Sequence, residues 1–243
     1  MNFRLVLYTL GNLLIFLSGS MLLPLVVTLI YRGAEGDTDL WTFLSSFAIT
    51  CLIGVVLRFT TRSKQELRNK EGAAVVAFGW TACALFGALP YLFHGVFGDI
   101  DRNILVEFSF CFFESMSGFT TTGATVLTQI EGVPEGILFW RSFSHWLGGM
   151  GIVVLAVAIL PMLGVGGMQL FRAEAPGPQK ERLTPRIAQT AKLLWGVYML
   201  LSAVEVLLLW LGGMTLFDAL CHTFGTMATG GFSTKNLSIG QYD

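Results

Sequence analysis

The sequence predicts an all-α polytopic membrane protein: two introductory helices, then units made of a helix, a short re-entrant loop and a returning helix. Three observations lead there. Hydrophobic residues make up 53% of the 243 positions and charged ones only 13%, about half the charged share of an ordinary soluble domain. The charges are also segregated, because residues 5–31, 40–57, 72–98 and 142–171 contain no Asp, Glu, Lys or Arg. Finally, the second half of the chain repeats a pattern found in the first.

A helix needs about 20 apolar residues to cross the hydrocarbon core, so each charge-free run is long enough to span or nearly span it. Residues 3–30 form the first predicted span, with a kink at Pro24. The run is too long for a secretory h-region and lacks a clear small-x-small cleavage site, so it reads as a retained helix. An acidic loop with Glu35, Asp37 and Asp39 leads into a second span at about 40–58. A third span covers 72–93 and ends near Pro90; a fourth covers 137–163; a fifth covers 188–212, within an apolar run 193–217 interrupted only by Glu205.

Lys and Arg in the short connections set orientation. Eleven of the fifteen lie at Arg4, in the group Arg58, Arg62, Lys64, Arg68 and Lys70, and in the group Arg172, Lys180, Arg182, Arg186 and Lys192. The N-terminus and both basic connections are therefore expected on the cytoplasmic side. This parity isolates residues 104–119, "ILVEFSFCFFESMSGF", because the chain leaves the third span outside and must start the fourth there. Sixteen residues carrying Glu107 and Glu114 suit a helix that descends partway, with "TTTGATV" climbing back. Irregular backbone at that depth is tolerated only where protein or a water-filled path encloses it.

With an offset of 107, Phe110, Gly118, Thr122 and Gly123 meet Phe217, Gly225, Thr229 and Gly230. Both stretches follow a span that runs from inside to outside, so the unit recurs. The second copy stops after its turn, and the chain reads as part of a longer protein. Glycines 148, 149, 151, 164, 166 and 167 surround the fourth span, where small residues let helices approach closely. Pro161 and the glycines that follow are expected to end or bend that helix.

The Thr-Gly turns have the chemistry of a cation path. A dehydrated monovalent cation needs oxygen ligands, which backbone carbonyls supply without fixed charge. Glycine permits the dihedrals that aim those carbonyls at an axis. The C-terminal end of a short helix adds a partial negative charge there. Glu114 is costly in lipid unless paired, and Arg141 at the top of the next helix is its candidate partner in supporting the pore. Glu205 could face a cavity or bond between helices. His94, His145 and His222 read as interfacial polar residues near external helix ends. The four cysteines, Cys51, Cys83, Cys111 and Cys221, have no metal-ligand spacing and read as small buried residues. No nucleophile–base order, nucleotide loop or paired carboxylate suggests an enzyme.

The stretches "FESMSGFTTTGATVL", "WRSFSHWLGGMGIVVLAVAILPMLGVGGMQLFRAEAPGP" and "HTFGTMATGGFSTKNLS" resemble the membrane subunits of the bacterial Trk potassium-uptake family over essentially the whole chain. The resemblance implies two introductory helices and four linked potassium-channel-like helix, pore-loop, helix units around one pseudo-fourfold pore. It implies that Thr120, Thr121, Thr122 and Gly123 match the first selectivity-filter strand, and Ala228, Thr229, Gly230 and Gly231 the second. Potassium is then the transported ion, held at Thr121, Thr122, Gly123, Thr229 and Gly230, with no covalently bound cofactor. The resemblance also implies the bacterial inner membrane, a homodimer, and regulation by a cytoplasmic nucleotide-binding TrkA subunit, with no nucleic acid. The expected organisation is an introductory region at 1–70, a complete repeat with its following connection at 71–187, and the start of a second repeat at 188–243. The alternatives are a cation-coupled secondary transporter with broken helices and a non-conducting fragment of a transport subunit.

Overall fold

The computed structural model describes residues 1–31, 36–63, 69–98, 103–158 and 183–242. Among them lie nine α-helices, one short 3₁₀ helix and no strand. The introductory region contains α1 (Phe3–Ser20), α2 (Leu22–Ile30) and α3 (Gly36–Thr60). The first repeat contains α4 (Asn69–Gly87), α5 (Leu89–His94), α6 (Ile104–Phe119) and α7 (Glu135–Ala158). The second contains α8 (Leu183–Leu211) and α9 (Leu216–Met227), followed by the 3₁₀ turn Ser238–Tyr242.

The predicted kink near Pro24 takes the form of a break at Met21, between α1 and α2. Proline has no N–H for the carbonyl four residues earlier, which here is that of Ser20. The run Phe3–Ile30 still has the length and hydropathy to cross a membrane, as do Asp39–Thr60, Lys70–His94 and Gln189–Leu211. These are four of the five predicted spans. The predicted fourth span, α7, is not among them: its described part carries Glu135, Arg141 and His145, and residues 159–163 of the predicted run lie outside the described residues. Pro161, the glycines at 164, 166 and 167, and the charges at Glu35, Lys64, Arg68, Arg172, Lys180 and Arg182 also lie outside them.

Close helix contact depends on missing side chains, as expected where lipid and side chains are equally apolar and packing must hold helices together. At the crossing of α1 and α3, a Cβ added to Gly11 would lie 2.8 Å from the Arg58 amide nitrogen and 2.9 Å from the Gly54 carbonyl oxygen. One added at Gly54 would lie 3.0 Å from the Gly11 carbonyl oxygen. Gly54→Leu is therefore expected to force these helices apart and destabilise the protein by about 1–3 kcal/mol. A detergent-solubilised thermal unfolding midpoint equal to that of the unaltered protein would contradict this.

Helix α8 is apolar on nearly every side and mostly exposed, with Leu200, Leu208 and Leu211 each more than 60% accessible. Its inward residues are Tyr198 and Ser202. Ser202 Oγ accepts from Trp146 Nε1 at 3.0 Å, and the Tyr198 hydroxyl donates to the Trp146 carbonyl at 3.3 Å. A cluster of aromatic side chains under the two short helices, including Phe139, Phe143, Trp140 and Phe224, completes the core.

Candidate permeation site

Helices α6 and α9 are built alike. Asn103 caps α6 by accepting from the Leu105 amide at 3.0 Å, and Thr215 caps α9 by accepting from the Asp218 amide at 3.1 Å. Sixteen residues extend only about 24 Å, so α6 is too short to cross the bilayer. Its depth can be read against α7. A Cβ on Gly148 would strike the Phe119 carbonyl at the end of α6, and one on Gly149 would lie 3.2 Å from Ala228 Cα at the end of α9. Two adjacent glycines thus make room for two short helices at the same level, thirteen and fourteen residues below the start of α7 at Glu135.

Each chain then turns back in the same conformation. Thr121 and Thr229 both adopt φ 56°, followed two residues later by Gly123 at φ 74° and Gly231 at φ 86°. The Thr121 amide donates to Gly118 and the Thr122 amide to Ser117; the Thr229 amide donates to Thr226 and the Gly230 amide to Gly225. These bonds and dihedrals superpose the repeats with an offset of 108. The offset of 107 predicted from identities is thus one residue short, and the structure pairs Thr120–Gly123 with Ala228–Gly231. A left-handed conformation is unusual for a β-branched residue, and each such residue stores strain of about 1–3 kcal/mol. Two threonines share it at equivalent places.

The two strands touch. A Cβ placed on Gly123 would overlap the Gly230 carbonyl oxygen. Thr122, Thr229 and Gly231 are exposed, while Thr120, Thr121, Gly123 and Gly230 are half-buried and Ala228 is buried. In the first strand the Thr120 hydroxyl donates to the Met116 carbonyl at 2.7 Å and lies 2.7 Å from the Thr122 hydroxyl. The Ser117 hydroxyl donates to the Ala124 carbonyl at 2.6 Å. Hydroxyls therefore brace the backbone from within the turn.

Glu114 and Arg141 meet behind the strands, with Arg141 Nε 2.6 Å from Glu114 Oε1 and both side chains essentially inaccessible. Glu114 also accepts from the Thr125 hydroxyl at 2.8 Å and the Val126 amide at 3.1 Å. Arg141 Nη1 donates to the Ser233 carbonyl at 2.9 Å, and its guanidinium carbon stacks 3.6 Å above the Phe232 ring. One buried ion pair thus holds the rising limbs of both turns. The second limb has a further tie, from the Thr234 hydroxyl to Asp218 at 2.6 Å.

Two of the three histidines depart from the expected interfacial position. His94 is half-buried and lies 2.9 Å from Asp39. His145 and His222 are buried, because α7 and α9 turn them towards the second strand and the core rather than outward. Sequence reading missed Phe232, Ser233 and Asp218; the aromatic-then-hydroxyl order after the second Gly was the only signal for the first two, and the Thr215-x-x-Asp218 capping spacing the only one for the third. Glu205 is half-buried on α8, and on α9 the Thr226 hydroxyl donates to the His222 carbonyl at 2.9 Å. Among the described residues Cys83, Cys111 and Cys221 are buried, Cys51 is partly so, and no group of three His, Cys, Asp or Glu could hold a metal ion.

Above the strands the rising limbs are stitched together. The Asn236 amide donates to Glu131 Oε1 at 2.7 Å, its side-chain amide donates to Glu131 Oε2, and the Ile130 amide donates to Asn236 Oδ1 at 3.0 Å. The Asn236 backbone bond, with that from the Glu131 backbone, holds the Glu131 carboxyl below its ordinary value of 4.5. A group whose folded pKa is depressed stabilises the fold above its unfolded value and loses that contribution as pH falls through the folded one. The stitch should hold at pH 7 and release as pH falls below the ordinary carboxylate range. Amide-exchange protection factors at Ile130 and Asn236 are expected to fall over that range, and Glu131→Gln should flatten the pH dependence. A profile unchanged by Glu131→Gln would assign the effect elsewhere.

Residues 40–243 match the TrkH family, described as a cation transport protein. The chain is 47% identical over 245 aligned residues to the Trk system potassium uptake protein TrkH of Salmonella typhimurium, covering all of this chain and 48% of that protein. It is 39% identical to the Trk system potassium uptake protein TrkG of Escherichia coli, covering 99% of this chain and 48% of that one. The crystal structure of the potassium transporter TrkH from Vibrio parahaemolyticus superposes with a TM-score of 0.83 at 40% identity, over all of this chain and 47% of the other. The chain spans about half the length of the curated relatives it matches. Its apolar helices, its two re-entrant turns and this match over residues 40–243 make it a multi-pass membrane protein that belongs to the TrkH cation transport family.

Proposed function

We propose that this chain supplies two of the filter strands of a Trk-type potassium uptake protein of the bacterial inner membrane. The observation that carries this reading is the matched pair of left-handed threonines, Thr121 and Thr229, at the base of two strands in contact. Strained backbone of this kind persists only where the surroundings impose it, and it clusters at functional sites. Backbone carbonyls of Thr121, Thr122, Gly123, Thr229 and Gly230 replace the hydration shell of potassium. The ends of α6 and α9 add their partial negative charge beneath them. Thr120, Ala228 and Gly231 complete the two strands, and Glu114 with Arg141 supports both.

In this reading residues 1–70 are the introductory region, 71–187 the first repeat and 188–243 the start of the second. The N-terminus is cytoplasmic, and the full-length subunit forms a homodimer governed by a TrkA-like nucleotide-binding subunit. The names of the relatives as parts of a Trk system support the last point. The test is potassium uptake by bacterial cells lacking their own uptake systems and producing the full-length protein. Growth at limiting potassium is expected, with discrimination against sodium; failure of both in cells with the protein in their membranes would overturn the reading.

A further inference from the structure

Gly230 poses a question that the conformation of its own strand does not answer. Gly123 and Gly231 have positive φ and need glycine for that reason, whereas Gly230 does not. Its counterpart in the first strand is Thr122, which carries a side chain without difficulty. What forbids a side chain at Gly230 is the imidazole of His145: an added Cβ would overlap the ring.

His145 is fully buried on α7, and neither ring nitrogen has a hydrogen-bond partner. Its ring lies flat on Phe232, with centroids 4.0 Å apart and planes 15° apart, and Arg141 stacks on the same ring. A buried histidine whose ring faces the Ser117 backbone without a well-formed hydrogen bond is costly, and a phenyl side chain there would fill space without that cost. Here the imidazole is the last member of a stack, Arg141, Phe232 and His145, which abuts the back of Gly230. The Gly230 carbonyl in turn faces Gly123. The distance between the two strands is therefore set from behind by a side chain of the first repeat.

Resting on the filter reading above, we propose that His145 is a positioning residue that holds the Gly230 carbonyl against the first strand and thereby sets ion selectivity. Carbonyl spacing and number govern which monovalent cation such a site prefers. Removing the wedge lets Gly230 recede, and the site loosens.

The test uses the full-length protein in proteoliposomes, with rubidium and sodium fluxes measured for His145→Ala, Gly230→Ala and the double variant, and with membrane yield checked for each. His145→Ala is expected to lower the rubidium-to-sodium flux ratio by about tenfold, and Gly230→Ala to block flux by colliding with the ring. The double variant, in which the new methyl group occupies the vacated space, should recover flux and part of the ratio. Additive or worse behaviour in the double variant, or an unchanged ratio in His145→Ala, would overturn the assignment. Gly123→Ser is the control: if it lowers the ratio while His145→Ala does not, only the role of His145 fails. If neither variant changes the ratio, the filter reading fails with it. If His145→Ala does not reach the membrane, recovery of yield in the double variant still supports the contact, and its absence counts against it.

Discussion

Gly123→Ser in the full-length protein is expected to abolish selective potassium flux while leaving the protein in the membrane. Two independent constraints meet at this residue. Its φ of 74° lies in the region that costs an L-residue roughly 1–2 kcal/mol. Its missing Cβ is also where the Gly230 carbonyl of the neighbouring strand sits. A side chain would push Gly230 back and rotate at least one carbonyl from the axis. A tenfold loss of preference for potassium over sodium corresponds to about 1.4 kcal/mol, less than the combined strain and collision can supply. Comparison of potassium and sodium fluxes in proteoliposomes checks this, and unchanged fluxes would contradict it.

Arg141→Ala should have the largest effect on stability. It would leave Glu114 buried without a counter-ion, strand the Ser233 carbonyl and remove one face of the Phe232 stack. Breaking a buried ion pair in this way costs about 3–5 kcal/mol, and the loss falls on both rising limbs at once. Glu114→Gln should be milder, because an amide oxygen can still accept from Arg141 and from the Thr125 hydroxyl. Unfolding midpoints in detergent for the two variants are expected in that order; equal, small shifts would show that the pair is not what holds the limbs.

The sequence made the architecture legible because a bilayer restricts what apolar runs and basic loops can do. A sixteen-residue apolar stretch between two spans whose facing ends are expected on the same side had to be re-entrant, and α6 reaches the level of Gly148 before the chain turns back. The pair Glu114 and Arg141 was readable for a similar reason, since two opposite charges in an apolar setting seek each other. Register was harder. Identities favour aligning Thr122-Gly123 with Thr229-Gly230, but Gly230 is followed by Gly231, and letters alone do not say which glycine takes the left-handed turn. The backbone gives that role to Gly231, and the pairing moves by one. His145 was misplaced because its position near the predicted external end of a helix suggested an interface. Only the packing of Phe232, 87 positions later in the chain, shows that this face of α7 is enclosed. The Glu131–Asn236 stitch was illegible for the same reason: nothing local in either loop points to the other.

Thr120–Gly123 and Ala228–Gly231 are expected to line one ion path. This is tested most directly by anomalous diffraction from crystals of the full-length protein grown in rubidium. Anomalous density is expected among the carbonyls of Thr121, Thr122, Gly123, Thr229 and Gly230. Density elsewhere on the molecule, with these carbonyls turned to lipid or bonded within the protein, would contradict it.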